Sequence, residues 1–529
     1  MLEPYRVLDL TNGRGELAGF MLAQLGAEVI SIEPVGGSSS RNIAPFRGGE
    51  SSGDSLYFSA FGRGQASVEL DLAGSENDRA QLKELAKGAD VIIESSDVGE
   101  MAAMGLGYDD LAAVNPALVY ASISPFGQTG PKATWPATDL TIWAAAGPSR
   151  ITGDSDRAPL RMQSDQSYAH AAAEAAGCVI AALYERAGSG HGQHVDISAQ
   201  QASTQATQSM ILAHPNGDTM LKREAGGIKF GDVFLQLLWP CANGHVSITF
   251  LFGTALGVPT GRLMEVVCEQ GYCDEATRDR DWISYGEELL TGVEPVEEYD
   301  RIKACVGKFC MAHTKAELLE LAMTHNLLIA SVNMMDDVIG LDQFVERDFW
   351  DDVEGDRFPG PMIKASGTPL PRLSAAPALG ADTLRVLSEP CRTPSAPELV
   401  TPAPTARPLE GVKILDFMWV MAGPAGTRVL ADMGATVVRI ESNARIDTAR
   451  TLQPFKDNTN SLESSALFSN MNAGKLGVTI NPTTPEGMAV IEDLIRWADV
   501  VTESYSPRAM VNFGLDYESV RKINPSVIM

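Results

Sequence analysis

Residues 6–34 read RVLDLTNGRGELAGFMLAQLGAEVISIEP, and residues 413–442 read KILDFMWVMAGPAGTRVLADMGATVVRIES. In the first stretch Val7-Leu8-Asp9-Leu10 is a short apolar run of the kind a buried strand shows. The turn Asn12-Gly13-Arg14-Gly15 follows, and from Leu17 to Leu25 apolar residues recur at helical spacing. Gly26 stops the helix, and Glu28 to Ile32 reads as the next strand. Strand, turn, helix, strand implies a parallel sheet with helices on its faces. Downstream, Asp78–Lys87 reads as a helix, and Asp90–Glu94 and Leu118–Ser124 as strands. The first 125 residues therefore predict a doubly wound α/β domain.

The second stretch begins the same pattern again. Gly26-Ala27 matches Gly434-Ala435, an offset of 408 residues, and Glu33 matches Glu441. Leu56-Tyr57-Phe58-Ser59 answers Ala466-Leu467-Phe468-Ser469, Ala89-Asp90-Val91 answers Ala498-Asp499-Val500, and Asn115-Pro116 answers Asn524-Pro525. A period this long is the size of a whole globular unit, not of a solenoid repeat. The expected organisation is a first copy over 1–389, a Pro-rich linker over 390–408, and the N-terminal part of a second copy over 409–529. Within the first copy we expect a large domain over about 1–225 plus a C-terminal return, and a smaller α+β domain over about 240–345. The second copy stops at Met529, inside the segment matching Leu118-Val119-Tyr120.

The formal charge of −27 argues against nucleic acid or an anionic membrane as the main partner, since phosphate binding needs a basic face. No run of eighteen apolar residues occurs, and the start MLEPYRVLDL does not read as a secretory signal. Seven scattered cysteines suit reduced thiols, so a cytoplasmic location is expected. Cys305 and Cys310 have no matching second pair for zinc, and His191, His194 and Asp196 lack the spacing of a helical metal pair. No metal is expected. Gly13-Arg14-Gly15 lacks the third glycine of a dinucleotide fingerprint, which favours a plain strand-to-helix turn. Asp9 and Asp416 recur at the end of the first strand, where accepting turn N–H groups is at least as good a reading as catalysis.

Four further stretches carry a family resemblance. They are Ile123 to Pro131 (ISPFGQTGP), Gly188 to Ser198 (GSGHGQHVDIS), Trp239 to Val246 (WPCANGHV) and Ala376 to Thr383 (APALGADT). The second copy adds Ala422-Gly423-Pro424, Phe468 to Lys475 and Gly514 to Tyr517. Together they resemble the family III CoA-transferases, the CaiB/BaiF group, which also contains α-methylacyl-CoA racemases. The resemblance implies a Rossmann-like large domain, a small domain and interlocked ring-shaped subunits, as a homodimer or as a pseudo-dimer of the two copies. It implies CoA thioesters and a carboxylic acid as ligands, with no permanently bound cofactor.

In that family an aspartate attacks the acyl-CoA carbonyl, and an acyl-aspartyl anhydride and an aspartyl-CoA thioester follow. The matching count back from Ala181-Ala182-Leu183 falls on Tyr168, so Asp165, three residues earlier, is the candidate nucleophile. Ser164 or Asp165 would serve equally as the cap of the Ala-rich helix. Thr138 of Ala137-Thr138-Asp139-Leu140 stands where the racemases carry their proton-exchanging histidine, and threonine lacks a pKa suited to that work. Leu70, Ser95 and Met104 match positions lining the family's CoA groove, and Gly226 and Gly227 lie near its Gly-rich covering loop. Ala103 and Asn512 stand where an arginine is common, and Arg41 is the candidate replacement for the CoA phosphates. The alternatives are a racemase-like enzyme and a non-catalytic CoA-binding or scaffolding half of a tandem enzyme.

Overall fold

A computed structural model describes residues 1–49, 52–207, 210–217, 223–230, 232–395 and 407–529. Most of the expected linker, 396–406, lies outside the described residues. The chain divides into two compact units. One comprises Met1–Pro148, Met162–Asp218 and Asp348–Met529; the other comprises Ser149–Arg161 and Thr219–Arg347. The smaller unit thus begins earlier than the expected 240 and borrows a short segment from before the Ala-rich helix.

The first unit is built on a six-stranded sheet: β1 (Arg6–Leu10), β2 (Glu28–Glu33), β3 (Gln65–Glu69), β4 (Val91–Glu94), β5 (Val119–Ser124) and β6 (His194–Ser198), in the order β3-β2-β1-β4-β5-β6. Every pairing is parallel. β1, β4 and β5 are buried at every position, as expected of a sheet covered on both faces. Val7, Val29, Val91 and Val119 enter one apolar layer, while Leu8, Ile30, Ile92 and Tyr120 enter the other. Helices α1 (Leu17–Gln24) and Ser167–Ser189 belong to the first layer. The C-terminal return runs along β3: the Asp382 carboxylate accepts from the Ser67 amide, and Thr383 Oγ1 accepts from the Glu69 amide. That segment covers an edge which would otherwise offer unpaired backbone groups.

Residues 409–529 form a second parallel sheet. Its order is Leu476–Thr479, Thr436–Glu441, Lys413–Asp416, Val500–Thr502, the order of β3-β2-β1-β4. Local contacts recur with the strands. The Asn115 side chain donates to the carbonyls of Ala86 and Ala89, and Asn524 donates to those of Ile495 and Ala498. Arg41 stacks on Phe58 while paired to Glu33; Arg450 stacks on Phe468 while paired to Glu441.

The smaller unit mixes antiparallel strands with helices. Gly227–Phe230 pairs with Val233–Gln236, and a three-stranded sheet has the order Ile329–Ser331, Gly244–Ile248, Leu238–Cys241. Helices Gly253–Glu269, Val296–Met311 and Lys315–His325 close over a core that includes Trp239, Phe250, Tyr299 and Phe309.

Candidate active site

The strand order reverses between β1 and β4, and in an open parallel sheet the crevice beyond the carboxyl ends at that point is where ligands bind. A cleft of about 480 Å³ lies there. Asn12 and Arg14 follow β1, Glu33 ends β2, Leu70 and Asp71 follow β3, and Ser95 and Asp97 follow β4; all of them line it, with Glu100 and Met104 beyond. Leu70, Ser95 and Met104, the three groove positions expected from sequence, therefore meet in one cleft. The Ser95 hydroxyl accepts a hydrogen bond from the Asn12 amide at 3.1 Å, which ties the turn after β1 to the end of β4.

Arg41 does not join them. Its guanidinium makes two hydrogen bonds to Glu33, at 2.6 and 2.7 Å, and lies 3.8 Å from the Phe58 ring centre. It lines a separate surface cleft with Ala376 and Ala378. Burial works to raise the Glu33 pKa, but the Arg41 guanidinium, the Ser38 amide and the Ser67 hydroxyl together hold it below the ordinary glutamate value. A phosphate would have to compete with that carboxylate for Arg41. Among the described residues that line the switch-point cleft, Arg14 is the one basic residue beside Glu33, Asp71, Asp97 and Glu100, and it lies 3.3 Å from Asp97.

Asp165 is exposed and precedes the Ser167–Ser189 helix by two residues. The expected cap by Ser164 or Asp165 is not what starts that helix. Asp139 Oδ1 accepts from the Gln166 and Ser167 amides at 2.8 and 2.7 Å, so the capping carboxylate comes from another segment. The charge of Asp165 is felt by Tyr57: burial first, then Glu16 and then Asp165 push the Tyr57 pKa upward, keeping its hydroxyl a donor. That hydroxyl donates to Glu16 Oε2 at 3.2 Å. Nothing at Tyr57 in the sequence pointed to this contact; the recurrence of its Leu56–Ser59 motif in the second copy was the available signal.

Tyr168 is largely buried under Arg14, whose guanidinium carbon lies 5.7 Å from the ring centre. Among the described residues its hydroxyl has no hydrogen-bond partner. Thr138 caps the Asp139–Ala146 helix, accepting from the Thr141 amide. His170 packs on Trp143, and burial lowers its pKa. Gly226 and Gly227 belong to the smaller unit. The Gly226 carbonyl accepts from the Leu237 and Leu238 amides, and Gly227 opens a strand, where an added Cβ would come within 2.3 Å of the Leu235 carbonyl. His194 contacts Ser122 Oγ, and Asp196 accepts from the Gln128 amide. Among the described residues no group of three His, Cys, Asp or Glu side chains gathers as a metal site.

A parallel sheet of this order, with a cleft at its switch point and a return segment from after a second unit, defines a two-unit α/β protein of the CaiB/BaiF fold. The sequence model of CoA-transferase family III matches residues 2–383 and again 409–529, and the chain belongs to that family. It is 27% identical, over 99% of its own length, to a probable CoA-transferase of Mycobacterium tuberculosis, Rv1866. The chain spans 64% of that relative's length. It is 31% identical to the BbsE subunit of succinyl-CoA:(R)-benzylsuccinate CoA-transferase from Thauera aromatica, over 65% of this chain and 82% of the subunit. The crystal structure of a CaiB/BaiF family protein from Brucella suis shares the fold, with a TM-score of 0.62 and 24% identity over 73% of this chain and 98% of that one.

Proposed function

We propose that the protein moves CoA from an acyl-CoA thioester to a carboxylic acid, with the thioester's CoA lying in the switch-point cleft against Leu70, Ser95 and Met104. The observation that carries this reading is the convergence of those three side chains, distant in sequence, on one cleft of about 480 Å³. The named activities of relatives support it: one acts between succinyl-CoA and benzylsuccinate, and another, from Acetobacter aceti, between acetyl-CoA and oxalate.

In this scheme the Asp165 carboxylate attacks the thioester carbonyl and expels CoA thiolate, leaving a mixed anhydride. The thiolate then attacks the aspartyl carbonyl of that anhydride, releasing the donor acid and forming an aspartyl-CoA thioester. The acceptor carboxylate displaces CoA from that thioester, and CoA finally takes the acceptor's acyl group and frees the aspartate. Asp165 has the exposure such a step requires.

One observation favours a second reading. The count back from Ala181 puts Tyr168 at the family's aspartate position, and Asp71, Asp97 and Glu100 line the cleft with Arg14, Glu33 being held by Arg41, so the first copy would be a CoA-facing scaffold whose nucleophile comes from outside it. Tandem duplication then makes the chain a pseudo-dimer with one structural and one chemical half. Hydroxylamine trapping with an acyl-CoA, read by mass spectrometry, decides between them. A hydroxamate on Asp165 and loss of turnover in Asp165→Ala are expected for the first reading. Unchanged turnover in that variant removes Asp165 and leaves the scaffold reading. Deuterium uptake at the α-carbon without CoA transfer would instead mark a racemase.

A further inference from the structure

Asp9 and Asp416 end the first strands of their sheets at equivalent places, yet their electrostatic settings are opposite. Asp416 is fully buried and paired with Lys475, whose ammonium lies 3.0 Å from Oδ2. The same ammonium donates to the Pro424 carbonyl at 3.0 Å and to Asn472 Oδ1 at 3.1 Å. One strand over, Arg439 is paired with Asp447 and Glu441. Strand register identifies the counterparts in the first sheet. Asp9 lies beside Ser31 as Asp416 lies beside Arg439, and Ile30 beside Ala66 as Val438 beside Leu476. Ser31 therefore replaces Arg439, and Gln65 replaces Lys475. In the aligned sequences Glu16 stands at Pro424 and Gly62 at Asn472. Two cations have gone, and a carboxylate has been gained.

What remains is a small cavity of about 10 Å³, lined by Asp9, Glu16, Ser31, Tyr57, Gly62 and Gln65, the volume one water-sized sphere occupies. Asp9 is 3% exposed and Glu16 8%. The Gln65 amide does not fill the role of Lys475, because it donates to the Phe61 carbonyl at 2.9 Å. Among the described residues Glu16 Oε1 is buried with no hydrogen-bond partner, while Oε2 accepts from the Tyr57 hydroxyl at 3.2 Å. Two buried carboxylates lining one small cavity need a counter-charge to stay ionised.

We propose that this cavity binds an ammonium-sized monovalent cation, K⁺ or NH₄⁺, between Asp9 and Glu16, where the second copy places the Lys475 ammonium. In the second copy the ammonium holds its oxygens at 3.0 to 3.1 Å, the spacing of a large monovalent cation and not the 2.0–2.1 Å of Mg²⁺ or the 2.3–2.6 Å of Ca²⁺. In the first copy Gly62 removes the Asn472 oxygen, and Glu16 lines the cavity as an added carboxylate. One cation and one shared proton neutralise the pair. The site stands on the two sheets alone and does not depend on the transferase reading.

Thermal unfolding of the full chain at fixed ionic strength tests it, with choline chloride as the background because choline is too large for the cavity. Replacing choline by K⁺ or NH₄⁺ is expected to raise Tm saturably, by roughly 2–5 °C. Gln65→Lys, which supplies the ammonium covalently, is expected to raise Tm in choline and to abolish the increment from K⁺. Glu16→Gln is expected to lose that increment as well, and it decides the matter if Gln65→Lys fails to fold. Equal Tm in choline and K⁺ for the unaltered protein overturns the proposal. So does an increment that survives in Glu16→Gln, since the ion would then sit elsewhere.

Discussion

At the scale of single residues, the buried aspartates show how one position takes two chemical roles. From sequence, accepting turn amides was at least as good a reading of Asp9 and Asp416 as catalysis, and both accept them: Asp9 Oδ1 takes the Thr11 amide and Asp416 Oδ1 the Met418 amide, each at 2.9 Å. What the sequence did not show was the missing counter-charge, because Lys475 and Gln65 are distant from their aspartates and become comparable only through strand register. Burial raises the Asp9 pKa to about 7, with the charges of Glu16 and Glu33 adding to the rise and the Thr11 amide and hydroxyl opposing it. An unfolded Asp titrates near its ordinary value of 3.8, so between the two values the folded state binds the proton more tightly. This contribution to stability is complete below about pH 4, falls as pH rises towards 7, and is constant above. In choline buffer the Tm of the unaltered protein should therefore fall relative to Asp9→Asn between pH 5 and 7.5. A flat difference across that range would show that Asp9 keeps its ordinary pKa.

At the scale of elements, the strands and α1 were legible because their apolar periodicity and glycine stops are local signals. The start of the Ser167–Ser189 helix was not, because its cap is supplied from 27 residues upstream. Asp139 receives two amides at that helix start, and its charge also lies at the positive end of the helix dipole. Helix caps of this kind contribute about 1 kcal/mol, up to about 2. Asp139→Ala should lower the unfolding free energy by that amount, read as a lower urea midpoint with an unchanged slope, and Asp139→Asn should recover about half of it. An Asp139→Ala protein as stable as the parent would mean that another group has taken over these amides. The same helix buries Ala171, Ala172, Ala175 and Ala176 at 0–1% exposure, and these small side chains let it lie close against the sheet and α1. The Ala-rich composition thus served packing as well as helix propensity, a distinction periodicity alone does not make.

At the scale of the whole molecule, the recurrence of one strand order in residues 409–529 was legible, since aligned glycines, strands and the Asn-Pro pairs recur in the same order. The difference in charge between the two stretches was not, since it rests on which side chains the strand registers bring together. The net charge of −27 surrounds a cleft where Asp71, Asp97 and Glu100 outnumber Arg14, Glu33 being paired with Arg41, while the proposed ligand, CoA, is itself polyanionic. A protein and ligand of like charge repel over distances set by ionic strength, about 30 Å at 0.01 M and about 8 Å at 0.15 M. Raising choline chloride from 0.01 to 0.15 M should therefore tighten CoA binding and speed association, the reverse of the usual salt effect on phosphate recognition. We expect a several-fold fall in Kd by calorimetric titration, mostly through the on-rate. Weaker binding at the higher salt would mean that the phosphates are held by a local basic cluster strong enough to override the field of the chain. Arg41 released from Glu33 would then be the first group to test, by Arg41→Ala, because its guanidinium is already positioned at the end of β2.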